Sequence, residues 1–362
     1  MNRKGVRGLG ALMMTALLLG GCAAPMTQRA APDEAQIKAE TRKQQEIALR
    51  AQLDAQARLS RVAWPLLRAA APMCGEAVRP MIGVYFTNRH TYTKDFRETA
   101  SEYLGVGKAP QATFLVPGSP AARAGMKERD VLLSIDGEAA PEGRRSVSEL
   151  TDLFKEKLKS GEPVVLGVRR GKQEKQFTVR PEESCDSQPL LADKDVINAF
   201  ADGDNILVTR GMLRFVENDN ELGFVIAHEL AHNAMKHIDA QRRNFWLGSI
   251  VDIVAIANGI YSPGLFASAA ARVHAGEFEA EADYVALYIM ARAGEPIDQA
   301  PTFWRRVAAE HPKSIEGSIL STHPTTPERF MAMEKSIQEI HAKQAAGLPL
   351  DPEYKPGAAA EP

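Results

Sequence analysis

The sequence predicts an α+β protein of two folded domains: a β-rich one over 78–183 and a mainly helical one with a small β-hairpin over 190–342. Three observations carry this prediction. A length of 362 residues fits two domains of about 150 residues each. Five short runs rich in β-branched and aromatic residues crowd the first region: "IGVYF" (82–86), "ATFLV" (112–116), "DVLLSIDG" (130–137), "PVVLGVRR" (163–170) and "KQFTVR" (175–180). Helix-forming segments dominate the second. They include "VIAHELAHNAMKH" (225–237), which holds three of the chain's 8 histidines, and "EFEAEADYVALYIMARAG" (277–294), which stops at a glycine. A hydrophobic fraction of 44% supports a real core. The net charge of −2, with no basic stripe, argues against a nucleic-acid partner.

Residues 1–21 stand apart from both domains. Arg3, Lys4 and Arg7 precede a short apolar stretch, "ALMMTALLLG", that is too short to span a membrane and has secretory-signal architecture. Leu19-Gly20-Gly21-Cys22 resembles the lipobox of bacterial lipoproteins, which would make Cys22 the lipidated first residue of the mature chain; an ordinary cleaved signal is the alternative. Ala23 follows in place of an inner-membrane-retaining aspartate, so the resemblance implies an outer-membrane lipoprotein facing the periplasm. Several acyl chains on one cysteine anchor stably where one does not.

Residues 22–34 read as a small-residue tether and 35–72 as a helical spacer, glycine-free until Pro65 kinks or ends it. No heptad is sustained, which argues against a coiled coil. An oxidising compartment favours a disulfide between Cys74 and Cys185. Such a loop would constrain the unfolded chain by about 4–5 kcal/mol; two buried free thiols are the alternative. The Pro/Ala/Gly-rich end, 343–362, is expected to be disordered.

Within the β-rich region, "VPGSPAARAGMKERDVLLSIDG" resembles a bacterial PDZ domain, with "SVSELTDLFKEKL" (146–158) as the helix beside its peptide groove. PDZ domains add an extended peptide to a sheet edge. Gly83-Val84 and Leu104-Gly105-Val106 compete as the loop that would hold a peptide carboxylate. A role as mere spacer or lid is the plainer reading.

The chemistry concentrates in two helices. On one helix from about Glu221 to His237, capped by Asp219 or Asn220, His228 and His232 lie about 40° apart and reach one metal ion together. Glu229 sits about 100° round, placed to act as general base on water. This H-E-x-x-H pattern arises by chance about once in a hundred such chains. His237 falls about 180° from His228 and reads as a packing or surface histidine. On the later helix Glu277, Glu281, Tyr284 and Tyr288 share what reads as the outer face. Glu279 and Asp283 lie opposite, Glu279 as third ligand and Asp283 as acceptor for a ligand imidazole N–H.

His-Glu-Leu-Ala-His with the later Glu-Ala-Glu-Ala-Asp resembles the gluzincin-type zinc metallopeptidase family of HtpX, the CAAX prenyl protease and BepA. "VINAFADGDNILVTRGML" (196–213), Gly294, Trp304 and "STHPTTPERF" (321–330) extend the resemblance over about 194–342. It departs at Asp202-Gly203-Asp204-Asn205, where Pro-Gly-Gly is frequent, and at Ala286, where many members have glycine. The resemblance implies one Zn2+ per chain and an edge strand, 198–201, that pairs with substrate backbone. It also implies a place for His323 near the zinc, donating to the oxyanion or filling the open position. Arg329 would pair with a site carboxylate or cap its own helix.

"FWLGSIVDIVAIANGIYSPGLFASAAA" (245–271) is interrupted by Asp252, Asn258, Gly259 and Pro263. It reads as a buried or membrane-facing hairpin rather than two spanning helices. The expectation is a lipid-anchored zinc metalloendopeptidase acting on polypeptides, with a PDZ domain that binds peptide or gates access. A PDZ-based chaperone or scaffold with a latent protease domain is the alternative, and a cell-wall amidase fits less well.

Overall fold

The computed structural model describes residues 26–27, 29–258, 260–271, 273–310, 323 and 326–355. The expected signal sequence, 1–21, and Cys22 lie outside them. The chain divides into two units, 1–45 and 46–362. In the first, Asp33 and Gln36 form a reciprocal capping box: the Gln36 N–H donates to Asp33 and the Asp33 N–H to the Gln36 side chain. This starts helix α1, Glu34–Ala70.

In the second unit α1 does not end at Pro65 but runs on to Ala70. The reason is tertiary. Leu59, Ala63, Leu66, Leu67 and Ala70 are buried in the main core, and that packing outweighs one missing hydrogen bond. The second half of the spacer helix therefore packs on the helical domain.

The β-rich domain opens with β1 (Val78–Met81), β2 (Val84–Thr87), α2 (Arg97–Leu104), β3 (Gln111–Leu115) and α3 (Pro120–Arg123). It continues through β4 (Val131–Ile135), β5 (Glu138–Ala139), α4 (Ser146–Lys157), β6 (Val164–Arg170), β7 (Gln173–Val179) and β8 (Glu182–Cys185). Its antiparallel sheet runs β2-β3-β4-β6-β7 with β5 on β4, while β1 pairs with β8. Apolar side chains at alternate strand positions, such as Leu132, Leu166 and Val168, build a core separate from that of the helical domain. β2 is an edge strand, and a cavity of about 470 Å³ opens beside it, lined by Ile82, Val84, Leu150, Phe154 and, from α1, Trp64. Gly83 lies at this cavity, whereas Gly105 ends α2 in the left-handed conformation. Cys74 and Cys185 form a disulfide, Cα atoms 5.8 Å apart, which fastens the end of α1 to β8.

The helical domain begins with β9 (Gln188–Ala192), β10 (Ala199–Ala201) and β11 (Asn205–Thr209), a sheet in the order β10-β11-β9. Helices α5 (Arg210–Phe215), α6 (Asp219–Ala234), α7 (His237–Ala257), α8 (Leu265–Ala271), α9 (Ala275–Arg292), α10 (Ala300–Glu310) and α11 (Pro327–Ala345) follow. On the far side of β9, Gln56 of α1 mimics a strand: its amide donates to Pro189 O and accepts from Leu191 N. The expected disorder of 343–362 is corrected for its first part. α11 continues to Ala345, Pro352 is buried, Arg292 pairs with Asp351, and Lys343 pairs with Glu353.

Candidate metal centre

α6 starts where the Asn218 side chain accepts from Glu221 N, one residue ahead of Asp219 and two ahead of Asn220, the expected caps. Its buried flanks, Leu222, Val225, Ile226 and Leu230, fix its rotation in the core. The helix ends at Ala234, before His237. Lys236 takes a left-handed conformation (φ 54°), and α7 restarts at His237 on a new axis. α9 packs along α6 and carries Glu279 and Asp283 toward it.

The donor atoms converge. His228 Nε2 and His232 Nε2 lie 3.2 Å apart, and Glu279 oxygens lie 3.4 Å from the first and 3.3 Å from the second. Four ligands about 2.0–2.1 Å from a tetrahedral ion stand about 3.3–3.4 Å from one another, so the three side chains fit one such ion. All three are buried, and His323 completes a group whose ligand atoms lie within 4.8 Å of one another. Glu229 is buried beside them. One of its oxygens has no hydrogen-bond partner within the protein, and the other is 3.6 Å from His323 Nε2.

Behind the donors stands a second layer of charge. Asp283 Oδ1 lies 3.0 Å from His228 Nδ1, somewhat off the axis of the ring N–H. Arg329, in the first turn of α11, grips Asp283 at 2.7 and 2.8 Å and reaches Glu279 at 3.0 Å, so it pairs with two of the site's carboxylates. Trp304 lies against the His228 ring, with centroids 5.0 Å apart. Burial alone would discharge His228, but Asp283 and Glu279 outweigh it and push its pKa up to about 10. For His232 burial dominates and lowers the pKa. Burial would raise Glu279, yet His323, His228 and His232 hold it well below the usual carboxylate range. An anionic pocket of this kind suits a cation.

His323 lies over the pocket. Its Nδ1 is 3.0 Å from both Glu279 oxygens, and its Nε2 is 3.3 Å from the carbonyl oxygen of Ala199 on edge strand β10. Despite burial, Glu279 and Glu229 hold its pKa above the ordinary histidine value.

Two partners escape sequence reasoning. His237 is buried, its Nδ1 3.0 Å from His232 Nδ1 and its Nε2 2.9 Å from Glu281. A wheel drawn through an unbroken helix misplaces it, since neither Met235 nor Lys236 signals a break. Asn233 holds the β10–β11 turn, accepting from Gly203 N and donating to Asn205 O. The expected outer face of α9 is also corrected. Tyr288 is fully buried, and Tyr284 and Tyr288 both donate to Glu339 beneath α11.

Residues 180–337 match the model of peptidase family M48, and residues 115–170 match a PDZ domain. Residues 180–337 thus carry a peptidase family M48 domain. The M48 segment is similar to the mitochondrial metalloendopeptidase OMA1 of Schizosaccharomyces pombe, 30% identical over 154 residues, 41% of this chain and 45% of that protein. It is also similar to the beta-barrel assembly-enhancing protease of Escherichia coli O157:H7, 28% identical over 157 residues, 39% and 32% of the two chains. The chain thus spans less than half the length of these relatives. A crystal structure of the HtrA3 PDZ domain bound to a phage-derived ligand (FGRWV) aligns over 29% of this chain and 88% of its own, at 23% identity and a TM-score of 0.22.

Proposed function

We propose that the chain is a zinc metalloendopeptidase of the bacterial envelope, hydrolysing peptide bonds of polypeptides. The lipid anchor at Cys22 and the periplasm-facing outer membrane belong to the same proposal. The observation that carries it is the unpartnered, buried carboxylate oxygen of Glu229 beside three donors spaced for one ion. His228, His232 and Glu279 would hold zinc, which supplies Lewis acidity toward a water and the scissile carbonyl. Glu229 takes the water's proton and returns it to the leaving amine. Asp283 orients His228, and Arg329 fixes Asp283 and Glu279. β10 offers its sheet edge to the substrate backbone once His323 leaves Ala199 O, as the PDZ edge at β2 does for a second segment.

The test is zinc quantification together with cleavage of unfolded casein. Wild type should bind one zinc per chain and cleave, and chelator should stop it. Glu229→Gln should keep the zinc and lose cleavage by several orders of magnitude. Full cleavage by Glu229→Gln would remove this reading.

A second reading, a peptide-binding scaffold with a latent protease, is favoured by the contact between His323 and Ala199 O, which occupies the strand edge a substrate needs. His323→Ala separates the two. Faster casein cleavage means His323 guards the site, and slower cleavage means it donates to the oxyanion.

A further inference from the structure

The α7–α8 hairpin is built inside out. Between Asn244 and Ala271 the only charged side chain is Asp252. Phe245, Trp246, Leu247, Val251, Val254 and Ile256 are all exposed, Trp246 by 73%. At about 100° per residue they cover roughly two-thirds of the circumference of α7. The remaining third, Gly248, Asp252 and Ala255, is buried. A side chain at Gly248 would collide with Phe266 O and Ala267 Cα of α8, so the two helices meet through small residues. The Asp252 carboxylate accepts from Phe266 N at 3.3 Å and Ala267 N at 2.8 Å, which turns its charge inward.

A helix pair in water puts large apolar residues between the helices and polar ones outside; this pair does the opposite. Small residues at the contact, large apolar ones outward and an inward, hydrogen-bonded acid are the arrangement that lipid selects. A second copy of the chain would cover one face, not two-thirds of a circumference. The stretch 244–257 measures about 21 Å at about 1.5 Å per residue. That is enough for one leaflet of a hydrocarbon core about 30 Å thick, not both. No helix among the described residues is long and apolar enough to cross a membrane. Exposed Arg242 and Arg243 precede the apolar stretch, at the level where anionic headgroups would lie.

We propose that the α7–α8 hairpin inserts into one leaflet of a phospholipid bilayer, as an attachment independent of Cys22. α7 begins at His237, which touches His232, so insertion sets the metal centre at the membrane surface. The proposal does not depend on the catalytic reading.

The test uses the full chain with vesicles of phosphatidylethanolamine and phosphatidylglycerol carrying brominated acyl chains. Trp246→Phe gives the background from buried Trp64 and Trp304. Trp246 emission should shift to the blue, lose most of its intensity to the bromines and resist aqueous iodide. Leu247→Ser with Val251→Ser, both at exposed positions, should abolish that quenching while circular dichroism stays unchanged. A Trp246 that iodide quenches and the bromines do not would overturn the proposal, since the chain is then held at the surface by another segment. Protection from iodide without vesicles, with doubled mass or only on adding unfolded casein, would overturn it in favour of a dimer or a substrate-holding surface.

Discussion

His237 Nδ1 lies 3.0 Å from His232 Nδ1. With His232 Nε2 turned toward His228 and Glu279, a metal on that nitrogen would leave the proton on Nδ1, to donate to His237 Nδ1, and His237 would then hold its own proton on Nε2 toward Glu281. The pair fixes both tautomers and the orientation of one candidate ligand. His237→Phe preserves stacking on Phe278 but removes the acceptor. Zinc affinity should fall by about 10–100-fold, measured by competition with a chromogenic chelator. An unchanged affinity would reduce His237 to packing.

The charge of His228 sets a pH dependence. An imidazole binds metal only when neutral, and here the pKa is about 10, so near pH 7 the ring carries a proton that the metal must displace. Affinity should therefore rise with pH, by about tenfold per unit for one displaced proton. Calorimetry in buffers of different ionisation heat counts that proton. A pH-independent affinity between 7 and 9 would contradict the role given to Asp283, and Asp283→Asn should flatten the dependence.

Arg329 is buried, and its single guanidinium is shared between two buried carboxylates, Asp283 and Glu279. Arg329→Ala removes the guanidinium paired with buried Asp283 and Glu279, leaves only His228 beside Asp283, and should cost about 3–5 kcal/mol, read by urea unfolding. Arg329→Lys keeps the charge but not the two-pronged grip, and should recover only part of that loss.

The Cys74–Cys185 bond closes a separation of 111 residues. In the chain-entropy account its removal costs about 4–5 kcal/mol. Cys74→Ser with Cys185→Ser should lower the unfolding midpoint accordingly while zinc stoichiometry holds. A loss confined to zinc binding would place the bond's effect in the site.

Asn233→Ala frees the β10–β11 turn from α6. For a substrate that pairs with β10, KM should rise more than kcat falls. The opposite split would show that the turn serves the metal centre itself.

Legibility followed helix continuity. α9 runs unbroken from Ala275 to Arg292, so a wheel drawn from the sequence separates Glu279 and Asp283 from Glu277, and the structure turns the first two inward. The same construction fails at His237, because Lys236 adopts a left-handed backbone that no glycine announces. It fails again at Tyr284 and Tyr288, whose side of α9 is covered by α11 and the segment after it. Pro65 reads as a kink or an end, and α1 continues through it because the residues around it pack into the core. Local spacing fixes what one helix presents, whereas breaks and coverings are set by contacts distant in sequence.

Gln56 has one more consequence. By taking up Pro189 O and Leu191 N on the outer rim of β9, its side chain stands where another strand would pair and leaves the three-stranded sheet of the helical domain its open side at β10. Head-to-tail fibre growth through a sheet requires two complementary rims on every molecule. With β9 blocked in this way, the sheet offers an incoming strand one rim and not two, so a strand paired at β10 would end the sheet and not extend it.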